Sequence, residues 1–159
     1  MLSSGEMMPD FDLPNQFGEP IALGSFRGQW LVLWWYPEAA SEGCTIEGRG
    51  FHQLEREFTD LGSAIVGLSF NTVAENQNFA ECEAFGFPLL SDSDWRVGHV
   101  HGVVRDPSER YANKPRRVTY LVAPDGRVAR AYLVTPDQVS EHPARVLDDL
   151  RELSAELQA

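Results

Sequence analysis

The stretch Gln29 to Tyr36, Gln-Trp-Leu-Val-Leu-Trp-Trp-Tyr, constrains the fold more than any other part of this chain. A strand with one face in water alternates apolar and polar residues, whereas a strand covered on both faces reads as a continuous apolar run. The run from Trp30 to Tyr36 is of the second kind, and it is far too short to span a bilayer. It predicts a central strand with packed layers on both sides, which places the chain among α/β proteins.

The flanking segments supply those layers. Phe11-Asp12-Leu13, a turn through Pro14 to Gly18, and Pro20 to Leu23 predict a short N-terminal β-hairpin. Phe51, Leu54, Phe58 and Leu61 recur at helical spacing, so a helix should run to about Leu61 and end at Gly62. Ser63 to Ser69 reads as another buried strand. Thr72-Val73-Ala74-Glu75 has the form of a capping box, with a helix expected to about Phe85 before Gly86. Phe87 to Leu90 gives a short strand, and Ser91 to Asp94 offers a cap to a brief helix through His99. Val104 to Pro115 reads as a polar loop. Arg116 to Ala123 and Arg127 to Val134 flank the turn Pro124-Asp125-Gly126. Pro143 opens a final amphipathic helix carrying Val146, Leu150, Leu153 and Leu157.

Composition narrows the class of function. A chain of 159 residues with 43% hydrophobic content can bury a full core, and residues 1–159 are expected to form one domain. A net charge of −11 argues against nucleic acid or an anionic membrane as partner. The N-terminus lacks the basic and apolar regions of a secretory signal, so a soluble, cytoplasmic protein is expected. Two cysteines, without further clustered Cys or His, exclude a disulfide scaffold and a zinc site.

One of them, Cys44, follows the polar, turn-forming Ala-Ser-Glu-Gly and sits where the helical pattern begins, at what reads as a surface-facing corner. Unpaired N–H groups and the dipole at a helix N-terminus favour a thiolate over a thiol. A strand, a turn and a cysteine at a helix start make a reactive-thiol arrangement, against the common role of a lone cysteine as a small core hydrophobe.

Pro37-x-x-x-Ser41-x-x-Cys44 resembles the peroxiredoxin active-site pattern Pro-x-x-x-Thr/Ser-x-x-Cys, and Gly43-Cys44-Thr45-x-Glu47 resembles the PrxQ, or bacterioferritin comigratory protein, subfamily. The resemblance extends to the opening hairpin, to Phe87–Asp94 and to Arg117–Val128, in family order. It departs at Glu42, where the family usually has proline, and at Arg49, where many members carry a second cysteine. The resemblance implies the thioredoxin fold in its peroxiredoxin form: a central mixed sheet flanked by helices, with an N-terminal β-hairpin.

It also implies a thiol-dependent peroxidase that reduces hydrogen peroxide and small organic hydroperoxides without a metal or organic cofactor. In that reading Cys44 is the nucleophile, Ser41 offers its hydroxyl to the thiolate and peroxide, and Pro37 closes the pocket against water. Arg117, in Arg117-Val118-Thr119-Tyr120, matches the family's late-strand arginine and is the cation. Alternation along a strand would turn Arg116 the opposite way, to solvent. Cys82 would be the resolving cysteine, attacking the sulfenic acid on Cys44. Its helix also carries Phe79 and Phe85, so a buried core thiol is the competing role. Thioredoxin, glutaredoxin or a small thiol would return the electrons, and the protein would be a monomer or weak homodimer.

Other readings have less support. Nothing in the sequence places His99 or His101 beside the sulfur for a Cys-His hydrolase. Asp92 and Asp94 lack the glycine and glutamate of a calcium loop. The absence of a CxxC pair disfavours a thioredoxin-like reductase. The alternative from a different class is a non-catalytic thioredoxin-fold redox sensor or binding protein that uses Cys44.

Overall fold

The computed structural model describes residues 1–158. The apolar run becomes β3 (Trp30–Trp35), the middle strand of a five-stranded sheet, with every residue buried. The hairpin ahead of it is β1 (Asp12–Pro14) and β2 (Pro20–Ala22), paired antiparallel as a separate small sheet. After β3 come α1 (Glu42–Asp60), β4 (Ser63–Ser69), α2 (Val73–Glu83) and β5 (Leu89–Ser91). They are followed by α3 (Arg96–Val100), β6 (Val118–Val122), β7 (Val128–Leu133) and α4 (His142–Gln158). The strand order is β5-β4-β3-β6-β7. The first three are mutually parallel, while β6 runs antiparallel to both β3 and β7. The fold is therefore α/β with a mixed sheet.

Alternation along β3 divides the core into two layers. Trp30, Val32, Trp34 and Tyr36 pack with Phe51 and Phe58 of α1, Phe79 of α2 and Val146, Leu147 and Leu150 of α4. Leu31, Leu33 and Trp35 face the opposite layer, with Phe11 and Leu23 near the hairpin, Val97 of α3 and Tyr120 of β6. Both faces of the strand are thus covered, which explains its lack of polar residues. On α4 the buried stripe is Val146, Leu147, Leu150 and Ser154, with Leu153 half-buried and Leu157 exposed.

The end of α2 differs from the sequence pattern. The capping box at Thr72 and Glu75 forms as expected, but α2 ends at Glu83 rather than near Phe85. Ala84, in a left-handed conformation at φ 57°, stops it, a role the sequence suggested for Gly86. Asp92, within the stretch expected to cap α3, accepts hydrogen bonds from the backbone N–H groups of Val97 and Gly98 at 3.2 and 2.7 Å. No helix among the described residues is long and apolar enough to cross a membrane.

Candidate active site

The segment between β3 and α1 is held by polar contacts at both ends. Tyr36 donates its hydroxyl hydrogen to Asn76 Oδ1 at 2.6 Å, which ties the end of β3 to α2. Asn71 accepts from the Ala39 N–H at 2.9 Å and donates to Glu38 at 2.9 Å. Ala40 then takes a left-handed turn at φ 65°, and Ser41 becomes the N-cap of α1, its hydroxyl oxygen accepting from the Cys44 N–H at 3.4 Å. Ser41 thus serves the helix start as well as lining the cleft above it. Glu42 occupies the first helical position, which tolerates proline and, by the dipole, favours an acid. The departure from the family pattern there leaves the helix start intact.

Cys44 does not face the surface. Its corner is exposed at Ala40 and Glu42, but the third helical position turns the thiol inward, and Cys44 is fully buried. The guanidinium of Arg117 meets it: Nη1 lies 3.5 Å from Sγ and donates to Glu47 Oε1 at 2.8 Å. Arg117 precedes β6 rather than lying in it, and its carbonyl accepts from the Val134 N–H at 2.9 Å, extending the β6–β7 ladder by one step. Gly43 leaves room for this approach, because a Cβ there would sit 3.0 Å from Arg117 Nη2. Burial works against the charge of Arg117, but the Cys44 and Glu47 charges outweigh it and hold its pKa above the usual value.

Arg116 is not the solvated residue that strand alternation suggested. The β6–β7 ladder stops at Arg117; Arg116 instead donates its N–H to the Val103 carbonyl at 2.8 Å, and its side chain pairs with Glu109 at the rim of the same cleft. Pro37 lines that cleft with Ser41 and Arg117.

Behind Cys44 lies a buried polar group that sequence reasoning left unassigned. Burial pushes the Glu47 carboxyl up to about 7 against the opposing pull of Arg117. Its Oε2 has no hydrogen-bond partner and lies 3.9 Å from Nε2 of His142, which is itself 2.8 Å from Thr119 Oγ1. Burial, reinforced by Arg145 and Arg117, pushes His142 down to about 3. The imidazole is therefore neutral at pH 7, and its contact with Glu47 is not an ion pair. Glu47 carried a sequence signal, an acid three residues after Cys44 on the same helix face; His142 carried none.

Cys82 is exposed, with Asn78 Oδ1 3.7 Å from its sulfur, while Phe79 and Phe85 are buried. This excludes the core-thiol role. Both cysteines are free thiols. The segments that carry them meet through two contacts: Arg49 of α1 forms a two-bond ion pair with Glu83 of α2, and Phe85, just past α2, packs on Gly48. Arg49, at the position of the family's alternative cysteine, thus binds α1 to the residue next to Cys82. Gly48 and Gly50 are contact points: a Cβ at Gly48 would meet Phe85 at 2.6 Å, and one at Gly50 would meet Pro143 at 2.6 Å. His101 lies in the other layer, accepting from Trp35 Nε1 at 3.2 Å, and His99 is exposed on α3.

A buried thiol at a helix start, with one guanidinium at its sulfur and a cleft above it, is an arrangement suited to thiolate chemistry. The comparisons with known proteins agree. Residues 4–131 match the AhpC/TSA family. Peroxiredoxin Bcp of Xanthomonas campestris is 34% identical over 146 residues, covering 89% of each chain. Peroxiredoxin Bcp of Escherichia coli is 31% identical over 153 residues, covering 95% of this chain and 97% of that protein. The structure of the X. campestris bacterioferritin comigratory protein superposes with a TM-score of 0.85 at 29% identity, over 96% of this chain and 99% of that one. The chain belongs to the AhpC/TSA family, with the thioredoxin fold in its peroxiredoxin form. Within that family it is a thiol peroxidase of the Bcp and peroxiredoxin Q type, an oxidoreductase that takes peroxide as substrate and a thiol as reductant.

Proposed function

We propose that Cys44 is the nucleophile of this peroxidase and that Cys82 resolves the oxidised enzyme. The Cys44 thiolate attacks one peroxide oxygen and the O–O bond breaks. The electron pair leaves on the other oxygen, which takes a proton to become water or an alcohol, and Cys44 becomes a sulfenic acid. Arg117 donates hydrogen bonds to the thiolate and to the departing oxygen, where negative charge develops. Ser41 presents its hydroxyl to the incoming peroxide, and Pro37 walls off the pocket. The Cys82 thiolate then attacks the sulfenic sulfur, releasing water and forming a Cys44–Cys82 disulfide. Thioredoxin or another thiol donor reduces it. Hydrogen peroxide and small organic hydroperoxides are the substrates; the X. campestris structure is described for its alkyl peroxide reduction activity. The protein acts in the cytoplasm as one domain, a monomer or weak homodimer.

The observation that carries this reading is the 3.5 Å approach of Arg117 Nη1 to the buried Cys44 sulfur. Resolution requires movement, since Cys44 is buried and Cys82 exposed, and a disulfide needs Cα atoms within about 7 Å. The start of α1, residues 43–50, unwinds to bring them together. The test is Cys44→Ser: peroxide consumption should fall to background while the melting temperature stays within a few degrees of the parent. Turnover retained in that variant would remove Cys44 from the mechanism.

A further inference from the structure

The end of α2 that carries Cys82 is weakly held from within. Its last turn contains two acids, Glu81 and Glu83, and no base, so both charges oppose the helix dipole. Directly after Glu83 the helix stops at the left-handed Ala84, φ 57°, a conformation that alanine adopts at a cost. Of the residues of α2, Asn76, Phe79 and Ala80 are buried, all of them before Cys82.

What holds this end is a seam along α1 formed by Gly48, Arg49, His52 and Glu55, which recur at helical spacing. Phe85 lies against Gly48 and against His52, at 5.9 Å between ring centroids. Gly86 lies beside Glu55, so that a Cβ there would stand 3.5 Å from the carboxylate. Arg49 adds the ion pair, donating to Glu83 from Nε to Oε1 and from Nη2 to Oε2, the second at 3.3 Å. The Glu83 side chain is only 14% exposed, so it has given up most of its water to this pairing. Arg49 lies five residues beyond Cys44, about 7.5 Å along the helix axis and, at about 100° per residue, well round it. While the pair holds, the residue beside Cys82 is therefore tethered to that point of α1 and not to the end where the Cys44 sulfur is buried.

We propose that Arg49 and Glu83 are positioning residues for the resolving step: their ion pair is a latch that keeps Cys82 at the surface while Cys44 meets peroxide, and its opening lets the two sulfurs join. The latch rests on the reading of Cys44 as nucleophile and Cys82 as resolving cysteine. In the step it controls, the Cys82 thiolate attacks the sulfenic sulfur of Cys44, the S–S bond forms as the S–O bond breaks, and the hydroxide that leaves takes a proton to become water. Arg49 belongs to the stretch 43–50 that unwinds, so unwinding has to break this pair. Weakening the latch should therefore speed resolution, leave the first attack on peroxide unchanged and lessen over-oxidation of Cys44.

The test is stopped-flow tryptophan fluorescence of the reduced protein mixed with hydrogen peroxide, in which the first, peroxide-dependent phase reads attack and the second, peroxide-independent phase reads disulfide formation. Arg49→Gln should quicken the second phase about threefold to fivefold, the factor that a partly exposed ion pair supplies, and leave the first unchanged. Glu83→Gln should quicken it less, because losing an acid from the end of α2 also relieves the helix dipole. In the parent the second phase should quicken with salt and approach the Arg49→Gln rate near about 1 M, where the Debye length falls to about 3 Å. Arg49→Glu should quicken it most, and adding Glu83→Arg to that variant should return the rate towards the parent's. A second phase unchanged or slowed in Arg49→Gln, or no recovery in the charge-swapped pair, would overturn the latch alone. Both phases moving together would mark a general loosening of the fold and overturn it equally. A parent with no second phase and no linked Cys44–Cys82 peptide would overturn the resolving role of Cys82 and the latch with it.

Discussion

Gly48→Ala sets two physical effects against each other on the helix that carries Cys44. Replacing a glycine in a helix interior by alanine favours the helix by about 1 kcal/mol. At Gly48 the added Cβ would stand 2.6 and 3.0 Å from two atoms of the Phe85 ring and 3.1 Å from Trp34. Neither ring can yield easily. Trp34 is fully buried, and Phe85 is stacked on Phe87 at 4.9 Å between centroids and set edge-on to Phe79 at 5.1 Å. Overpacking of a filled core costs about 1–3 kcal/mol, and three such contacts place this site in the upper part of that range. The net loss should be about 1–2 kcal/mol. At roughly 2–4 °C per kcal/mol for a chain of this size, the melting temperature should fall by roughly 2–8 °C. Thermal unfolding of the reduced protein followed by circular dichroism measures it. A rise in melting temperature would refute the reasoning, because it would make Gly48 a weak point in the helix rather than a packing contact with the end of α2.

Arg117→Ala should slow the reaction with hydrogen peroxide by roughly a hundredfold or more, as loss of a donor to a developing oxyanion does, and should displace the rate–pH curve to higher pH. Stopped-flow tryptophan fluorescence reads both, and an unchanged curve would place the cation elsewhere. Glu47 stays protonated in the folded protein to about pH 7, whereas the usual carboxyl value is 4.5, so it lowers stability as pH rises through that window, by an amount on the order of 3 kcal/mol. Glu47→Gln should accordingly gain stability relative to the parent between pH 5 and pH 8 in urea titrations, and a gap independent of pH would contradict the burial account. His142 acts in the opposite direction: neutral in the folded state down to about 3, it removes stability as pH falls below 6.5. In the parent the two trends therefore oppose each other between about pH 4.5 and 6.5.

The parts of this molecule that one segment determines were legible in the sequence. The unbroken run at Trp30 to Tyr36 marked the central strand, and Thr72 with Glu75 marked a helix start, because each signal is complete within a few residues. The end of α2 was not, since a left-handed Ala84 has no sequence signature while Gly86 does. The inward turn of Cys44 was hidden by the polar residues before it, whose exposure says nothing of the next helical position. Glu47 and His142 meet only after α1 and α4 pack together, and no local pattern around His142 anticipates it. Likewise, no local pattern at Gly48 or Gly50 shows that Phe85 and Pro143 pack against them.

The most direct test of the central claim is the intact mass of the reduced protein after one equivalent of peroxide, followed by peptide mapping. The parent should lose about two daltons and yield a Cys44–Cys82 linked peptide, while Cys82→Ser should gain about sixteen daltons, all of it on Cys44. Oxidation confined to Cys82, or an unchanged Cys44 in the parent, would contradict the account.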